Sequence, residues 1–343
     1  MKTIQEQDKE IFDLIEKEEK RQEETIDLIA SENYPSKAVR EALSSIYVAK
    51  YSEGRPFKRY YGGMENVDKL ETMVEERARK VFGLTGKWAV NVQPYSGSPA
   101  NYAIERGLLE KGEKILSVEL SHGGHLTHGS PVSASGMDFT ICHYPMSKKT
   151  MQIDYDEVER IAKKEKPNLI ITGYTAYPRT VDFKKMGQIS RLVKAYLMAD
   201  ISHITGLVVG KVHPSPFPHA DVVMTTTHKS LRGPRGAMII CREELAEKIH
   251  KLELKNETAE VEKAKKGDLE EISNIFIIIF IYNAVYLGID SLVLLRQDHA
   301  IFFGLHQLLE LGAVAVDAHD LFGDVLTVGD QRKILGPGDA YAF

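Results

Sequence analysis

Apolar residues near the start of the chain recur at near-helical spacing. Ile4, Ile11, Leu14, Ile15, Ile26 and Ile29 stand among many charges, which predicts a helical arm over residues 1–30. The arm ends in LIASENYPS, where Asn33 and Pro35 signal a turn. A loop dense in tyrosine, arginine and glycine follows, KYSEGRPFKRYYGG. Between about 66 and 83, Leu70, Val74, Ala78 and Val81 line one side of a charged segment, and Gly83 suits the end of a helix. From there strand-like and helix-like stretches alternate. WAVNVQP runs into SGS and then the helical PANYAIERGLLEKG, and KILSVEL ends at SHGGHLTHG. DYDEVERIAKKE precedes PNLIITGY, AYLMADISH and ADVVMTTTHKS are two more strands, and GAMIIC makes a hairpin-like return. Such alternation predicts an α/β fold with a mostly parallel sheet covered on both faces. Ligands of such sheets sit beyond the carboxyl ends of the strands, where the polar clusters of this chain fall.

After about residue 250 the pattern changes. A charged, helix-prone stretch, LELKNETAEVEKAKKGDLEE, leads into IFIIIFIYNAVYLGI at 275–289. A membrane span needs about 20 apolar residues, so a buried strand or helix is the preferred reading of this run and a span the lesser one. Three regions are expected: a helical arm (1–30), a large domain (31–250) and a divergent C-terminal region (251–343).

Composition narrows the partners. The 343 residues are long enough for a large core, and 43% hydrophobic with 27% charged is ordinary for a globular protein. A net charge of -5 supplies no basic field for nucleic acid. Two cysteines cannot build a disulfide framework, and the polar start MKTIQEQDKE does not resemble a signal peptide. The expected location is the cytoplasm, with no membrane and no nucleic-acid partner.

The candidate chemistry centres on TTTHKSLRGPRG. Lys229 follows an apolar strand beside His228 and Ser230, and a lysine projecting from a strand end into a cleft has its pKa lowered for Schiff-base formation. Asp200, ending the apolar strand YLMAD, needs a positive partner to be tolerated there. In pyridoxal phosphate enzymes that partner is the protonated ring nitrogen, although alone Asp200 could equally cap a helix or bind a metal. His203 lies three residues on. Ser96, Gly97 and Ser98 stand where a strand passes into a helix, a setting that suits a phosphate. His122, His125 and His128 could suggest zinc, but no cysteine or acid accompanies them at suitable spacing. No metal is expected, and His122 is read as stacking on the cofactor ring.

These motifs, in order and nearly continuous from about residue 5 to 250, resemble the serine hydroxymethyltransferase family. The resemblance implies the large domain of a type I, aminotransferase-like pyridoxal phosphate enzyme, with an active site shared in a homodimer. It implies one-carbon chemistry: serine and tetrahydrofolate interconverted with glycine and 5,10-methylenetetrahydrofolate. Lys229 would bind the cofactor covalently, with Asp200 on its ring nitrogen, His203 near its phenolic oxygen and His228 beside it. His122 would stack on the ring, Ser96, Gly97 and Ser98 would hold the phosphate, and Thr175 would replace the family's usual serine. Glu53 would handle a proton, and Ser31, Tyr51 and Tyr61 would complete the substrate site, partly from the neighbouring subunit. Beyond residue 250 the family's glycine-rich segment and its Arg-apolar-Gly-Thr carboxylate clamp are absent; Arg296 and Arg332 continue as RQDH and RKIL. Three accounts stay open: a mis-joined tail, a divergent small domain, or a clamp from Arg232 or Arg55. A 3-hydroxy amino acid aldolase and a catalytically impaired cofactor-binding homologue are the alternative functions.

Overall fold

The computed structural model describes residues 2–250 and two further strands, 291–296 and 299–304. The chain divides into two compact units, residues 1–255 and 256–343. The apolar run at 275–289 lies outside the described residues.

The first unit begins with a short helix α1 (Ile4–Gln7) and the longer α2 (Lys9–Glu24), whose amino end Asp8 caps by accepting the Ile11 N–H. Helix formation stops earlier than the apolar spacing predicts. Thr25 is extended, and its hydroxyl donates to the Arg21 carbonyl, closing the last turn. α3 (Lys37–Leu43) precedes a small hairpin of β1 (Gly54–Arg55) and β2 (Lys58–Arg59). α4 (Glu65–Phe82) ends as its sequence predicts, with Gly83 left-handed at φ 64° and its N–H returned to the last turn.

The body of the unit is a seven-stranded sheet. Its strands are β3 (Trp88–Asn91), β4 (Lys114–Val118), β5 (Thr140–Tyr144), β6 (Leu169–Gly173), β7 (Tyr196–Asp200), β8 (Val222–Thr226) and β9 (Ala237–Arg242), in the spatial order 3-9-8-7-6-4-5. β9 pairs antiparallel with both neighbours, and the other strands run parallel. The expected mostly parallel sheet of a type I pyridoxal phosphate fold is therefore present. Alternate side chains feed two cores. Ile170, Leu197, Ala199 and Val223 face one side, packing with Val158 and Ala162 of α7 (Tyr155–Glu165) and with Phe183 and Met186 of α8 (Phe183–Val193). Leu169, Ile171, Met198 and Met224 face the other, against Ala100 and Ile104 of α5 (Gly97–Leu108). Burial on both faces explains why these strands read as unbroken apolar runs. Ile104 is fully buried, a contribution of about 1.5–3 kcal/mol. Two short helices, α6 (Ala134–Asp138) and α9 (Thr205–Val209), complete the unit. In the second unit, β10 (Ser291–Arg296) pairs antiparallel with β11 (His299–Gly304).

Candidate active site

The carboxyl ends of β6, β7 and β8 and the amino end of α5 surround a cleft of about 390 Å³, within the usual range for a small-molecule site. Lys229, Asp200, His203, His228, Thr175, Ser31, Ser96, Gly97 and Ser98 all line it. Residues far apart in sequence meet here because, apart from Ser31, which comes from the segment before β1, each ends or follows a strand that finishes at the same edge.

Lys229 sits on a closed turn after β8. Gly233 N–H donates to the Thr227 carbonyl at 2.8 Å, and the Thr227 hydroxyl donates to the Pro234 carbonyl at 2.6 Å. The segment LIASENYPS braces the turn from outside: Asn33 Nδ2 donates to the Lys229 carbonyl at 2.9 Å, and Arg232 Nε donates to the Tyr34 carbonyl. Lys229 Nζ lies 3.2 Å from His203 Nε2. Burial lowers the pKa of the amine, and Arg235 adds to this, against the opposing charge of Asp200. Burial and the nearby lysine push His203 down to about 4, so its imidazole is neutral at pH 7 and can accept from the Lys229 amine.

Asp200 ends β7 with its side chain almost wholly buried. Its Oδ1 accepts from the Ser202 hydroxyl at 2.6 Å and the Ser202 N–H at 3.1 Å. Its Oδ2 accepts from His128 Nε2 at 2.9 Å and Asn101 Nδ2 at 3.3 Å. Burial alone would raise this carboxyl, but the hydrogen bonds and charge of His128, with those from Ser202, hold it far below the carboxylate range. A buried, ionised carboxylate facing a cleft suits a cationic ring nitrogen.

The amino end of α5 forms the anionic subsite. Ser96 precedes the helix in extended conformation and makes no capping bond with its hydroxyl. Gly97 brings the backbone against β8: a Cβ there would lie 2.9 Å from Thr226 Cγ2. The Thr226 hydroxyl is buried without a protein partner. Free backbone N–H groups at a helix start, two serine hydroxyls and an unsatisfied hydroxyl suit a phosphate. With the buried carboxylate and the lowered lysine, these residues fit pyridoxal phosphate.

His122 does not line the cleft. Its Nδ1 accepts the Met146 N–H at 3.2 Å and lies 3.4 Å from the Glu119 carboxylate. His125 lines the cleft instead, because the chain turns through left-handed Gly123 between them. Sequence reasoning also passed over Asn101, His128, Ser202 and Arg235 as site residues. Asn101 carried a usable signal, since it follows Gly97 by one helical turn and shares its face. The arginines considered as carboxylate clamps lie elsewhere: Arg55 is bound to Glu75 and the Val90 carbonyl, and Arg232 to Tyr34. Among the described residues, Arg235 is the guanidinium that reaches the cleft, 3.4 Å from His228 Nε2.

Tyr51, Glu53 and Tyr61 are not brought to the cleft. Tyr51 is 73% exposed and Tyr61 44%. The hairpin next to Glu53 is nevertheless held firmly. Arg59 Nε donates to Asp68 at 2.8 Å, Nη2 to Glu71, and Nη1 to the Ser52 and Gly54 carbonyls.

A family model for serine hydroxymethyltransferase matches residues 4–266. The chain belongs to the serine hydroxymethyltransferase family. Two serine hydroxymethyltransferases illustrate the likeness. That of Prochlorococcus marinus (strain MIT 9211) is 54% identical over 239 residues, covering 70% of this chain and 57% of its own length. That of Nostoc sp. (strain PCC 7120 / SAG 25.82 / UTEX 2576) is 52% identical over 245 residues, covering 71% and 57%. The chain thus spans somewhat over half the length of these curated relatives. The family match extends past residue 250, the point at which the motifs stop being readable.

Proposed function

We propose that the protein is a pyridoxal phosphate-dependent hydroxymethyltransferase that interconverts serine plus tetrahydrofolate with glycine plus 5,10-methylenetetrahydrofolate. The observation that carries this reading is the meeting of Lys229, Asp200, His203 and the amino end of α5 around one cleft, in a chain of this family. Bound there, pyridoxal phosphate would supply an electron sink for bonds broken at the α-carbon of an amino acid.

The protein's own groups then have distinct tasks. Ser96, Gly97 and Ser98 would hold the phosphate, and Asp200 would keep the ring nitrogen protonated. His125 would face the ring, while Thr175, His203 and His228 line the remaining wall. The Lys229 amine, its pKa lowered by burial, would serve as the nucleophile for the cofactor aldehyde. Ser31 would contact substrate. Glu53 would hold and release a proton beside Tyr51 and Tyr61, acting in the cleft of a second copy. Exposed Ile26, Leu28, Ile46 and Val48 in the same part of the chain support a homodimer that covers them. Cys142 and Cys241 are both free, and we place the protein in the cytoplasm.

Apo-protein titrated with pyridoxal phosphate should develop a visible absorbance that Lys229→Ala abolishes. Tetrahydrofolate should then accelerate exchange of the glycine α-proton with D2O, followed by NMR. Equal cofactor affinity in wild type and Lys229→Ala would overturn the reading.

A further inference from the structure

The groups behind Asp200 form a continuous hydrogen-bonded chain whose proton positions can be deduced. His128 is 2% exposed, with Nε2 on Asp200 Oδ2 and Nδ1 buried without a hydrogen-bond partner. A carboxylate only accepts, so the His128 proton on this side resides on Nε2. The ring is fixed through its backbone: Ser117 Oγ donates to the His128 carbonyl at 2.6 Å, and Ser135 Oγ to the Thr127 carbonyl at 3.0 Å. Gly173 leaves the space in which the pair meets. A Cβ there would lie 2.6 Å from Asp200 Cβ and 3.1 Å from His128 Cε1.

Asn101, also buried, divides its two N–H groups between Asp200 Oδ2 and Thr127 Oγ1, the latter at 2.8 Å. Thr127 Oγ1 therefore accepts from Asn101 and directs its own proton to His125 Nδ1, 2.7 Å away. The Thr127 N–H also donates to that nitrogen at 3.2 Å. His125 Nδ1 receives two donors, so the neutral ring carries its proton on Nε2.

We propose that His128 and Asn101 are positioning residues, which together fix the Asp200 carboxylate at the cleft and set the tautomer of the ring at His125. The inference rests on the pyridoxal phosphate reading for its purpose, not for its geometry. Asp200 acts on the cofactor, and His128 acts through Asp200. The same network leaves the cleft-lining imidazole neutral, so it does not oppose the positive charge that Asp200 is there to stabilise. The other titratable groups acting on Asp200 are His125, His203 and Lys229.

The test uses two readouts on the full chain. The first is the affinity of apo-protein for pyridoxal phosphate in His128→Phe, Asp200→Asn and the double variant. His128→Phe should weaken binding about tenfold to a hundredfold, as expected for one lost charge-assisted hydrogen bond. It should have almost no further effect once Asp200 is asparagine. His128→Gln, which keeps a donor, should recover most of the affinity and also guards against a folding defect in the phenylalanine variant. The second readout is the titration of the Asp200 carboxyl by carbon NMR in cofactor-free protein, whose midpoint should rise in His128→Phe and stay low in His128→Gln. Additive effects of the two single substitutions on affinity, or an Asp200 midpoint unmoved in His128→Phe, would overturn the proposal. Failure of wild type to bind pyridoxal phosphate would remove the cofactor reading instead, and the NMR titration would still decide the coupling.

Discussion

Gly97 is the position where a single methyl group probes both the fold and the site. A Cβ there would lie 2.9 Å from Thr226 Cγ2 and 3.8 Å from Met224 Cε, whereas carbon atoms settle at about 3.5–4.0 Å. Thr226 cannot easily give way. It lies in β8, paired to Ala237 of β9, it is 3% exposed, and its N–H is held by the Ser202 hydroxyl. The start of α5 must move instead by several tenths of an ångström. Overpacking of this kind costs about 1–3 kcal/mol, or a fall of about 2–12 °C in Tm for a unit of this size. The displaced atoms include the first N–H groups of the helix, so affinity for pyridoxal phosphate should fall as well. Thr226→Ser deletes the opposing methyl and keeps the hydroxyl. Thermal denaturation of Gly97→Ala, Thr226→Ser and the double variant should give a coupling of about 1 kcal/mol or more in the direction of rescue. Simple additivity, or an unaltered Tm in Gly97→Ala, would refute the reasoning.

Three other outcomes follow from the same geometry. Gly173→Ala should push Asp200 and His128 apart, lowering stability by about 1–3 kcal/mol and weakening pyridoxal phosphate binding in a dialysis titration. Arg59→Met should cost about 3–5 kcal/mol in urea unfolding, because it strands the buried carboxylates of Asp68 and Glu71. His203 and His250 are both pushed down to about 4 by burial. The unfolded chain therefore takes up protons at these residues first, and stability is fully present above about pH 6.5 and falls as the pH drops toward 4. Replacing His203 with asparagine should flatten that decline in Tm measured across the window.

Much of the fold could be read locally. β6, β7 and β8 announce themselves as apolar runs, because a parallel sheet covered on both faces needs little alternation. Asp200 and Lys229 stood out because each follows such a run, and sequence alone can locate a strand end. The helix at Glu65–Phe82 was equally plain, since its apolar stripe and Gly83 act within one element.

What remained hidden depends on contacts between distant segments. β5 passed unnoticed because its residues are mostly half-buried or exposed at the sheet edge and show no clear period. The place of β9 between β3 and β8 is a matter of pairing, which no local pattern encodes. The orientations of His122 and His125 are set by the Met146 N–H on one ring and by Thr127, held by Asn101, on the other. Tyr51, Glu53 and Tyr61 have the right chemistry, yet their hairpin is anchored to α4, outside the cleft of their own chain. Residue type and strand position are properties of a short segment, and the sequence determined them. The direction of a side chain is set by hydrogen bonds and packing from elements tens of residues away, and only the tertiary structure could decide it.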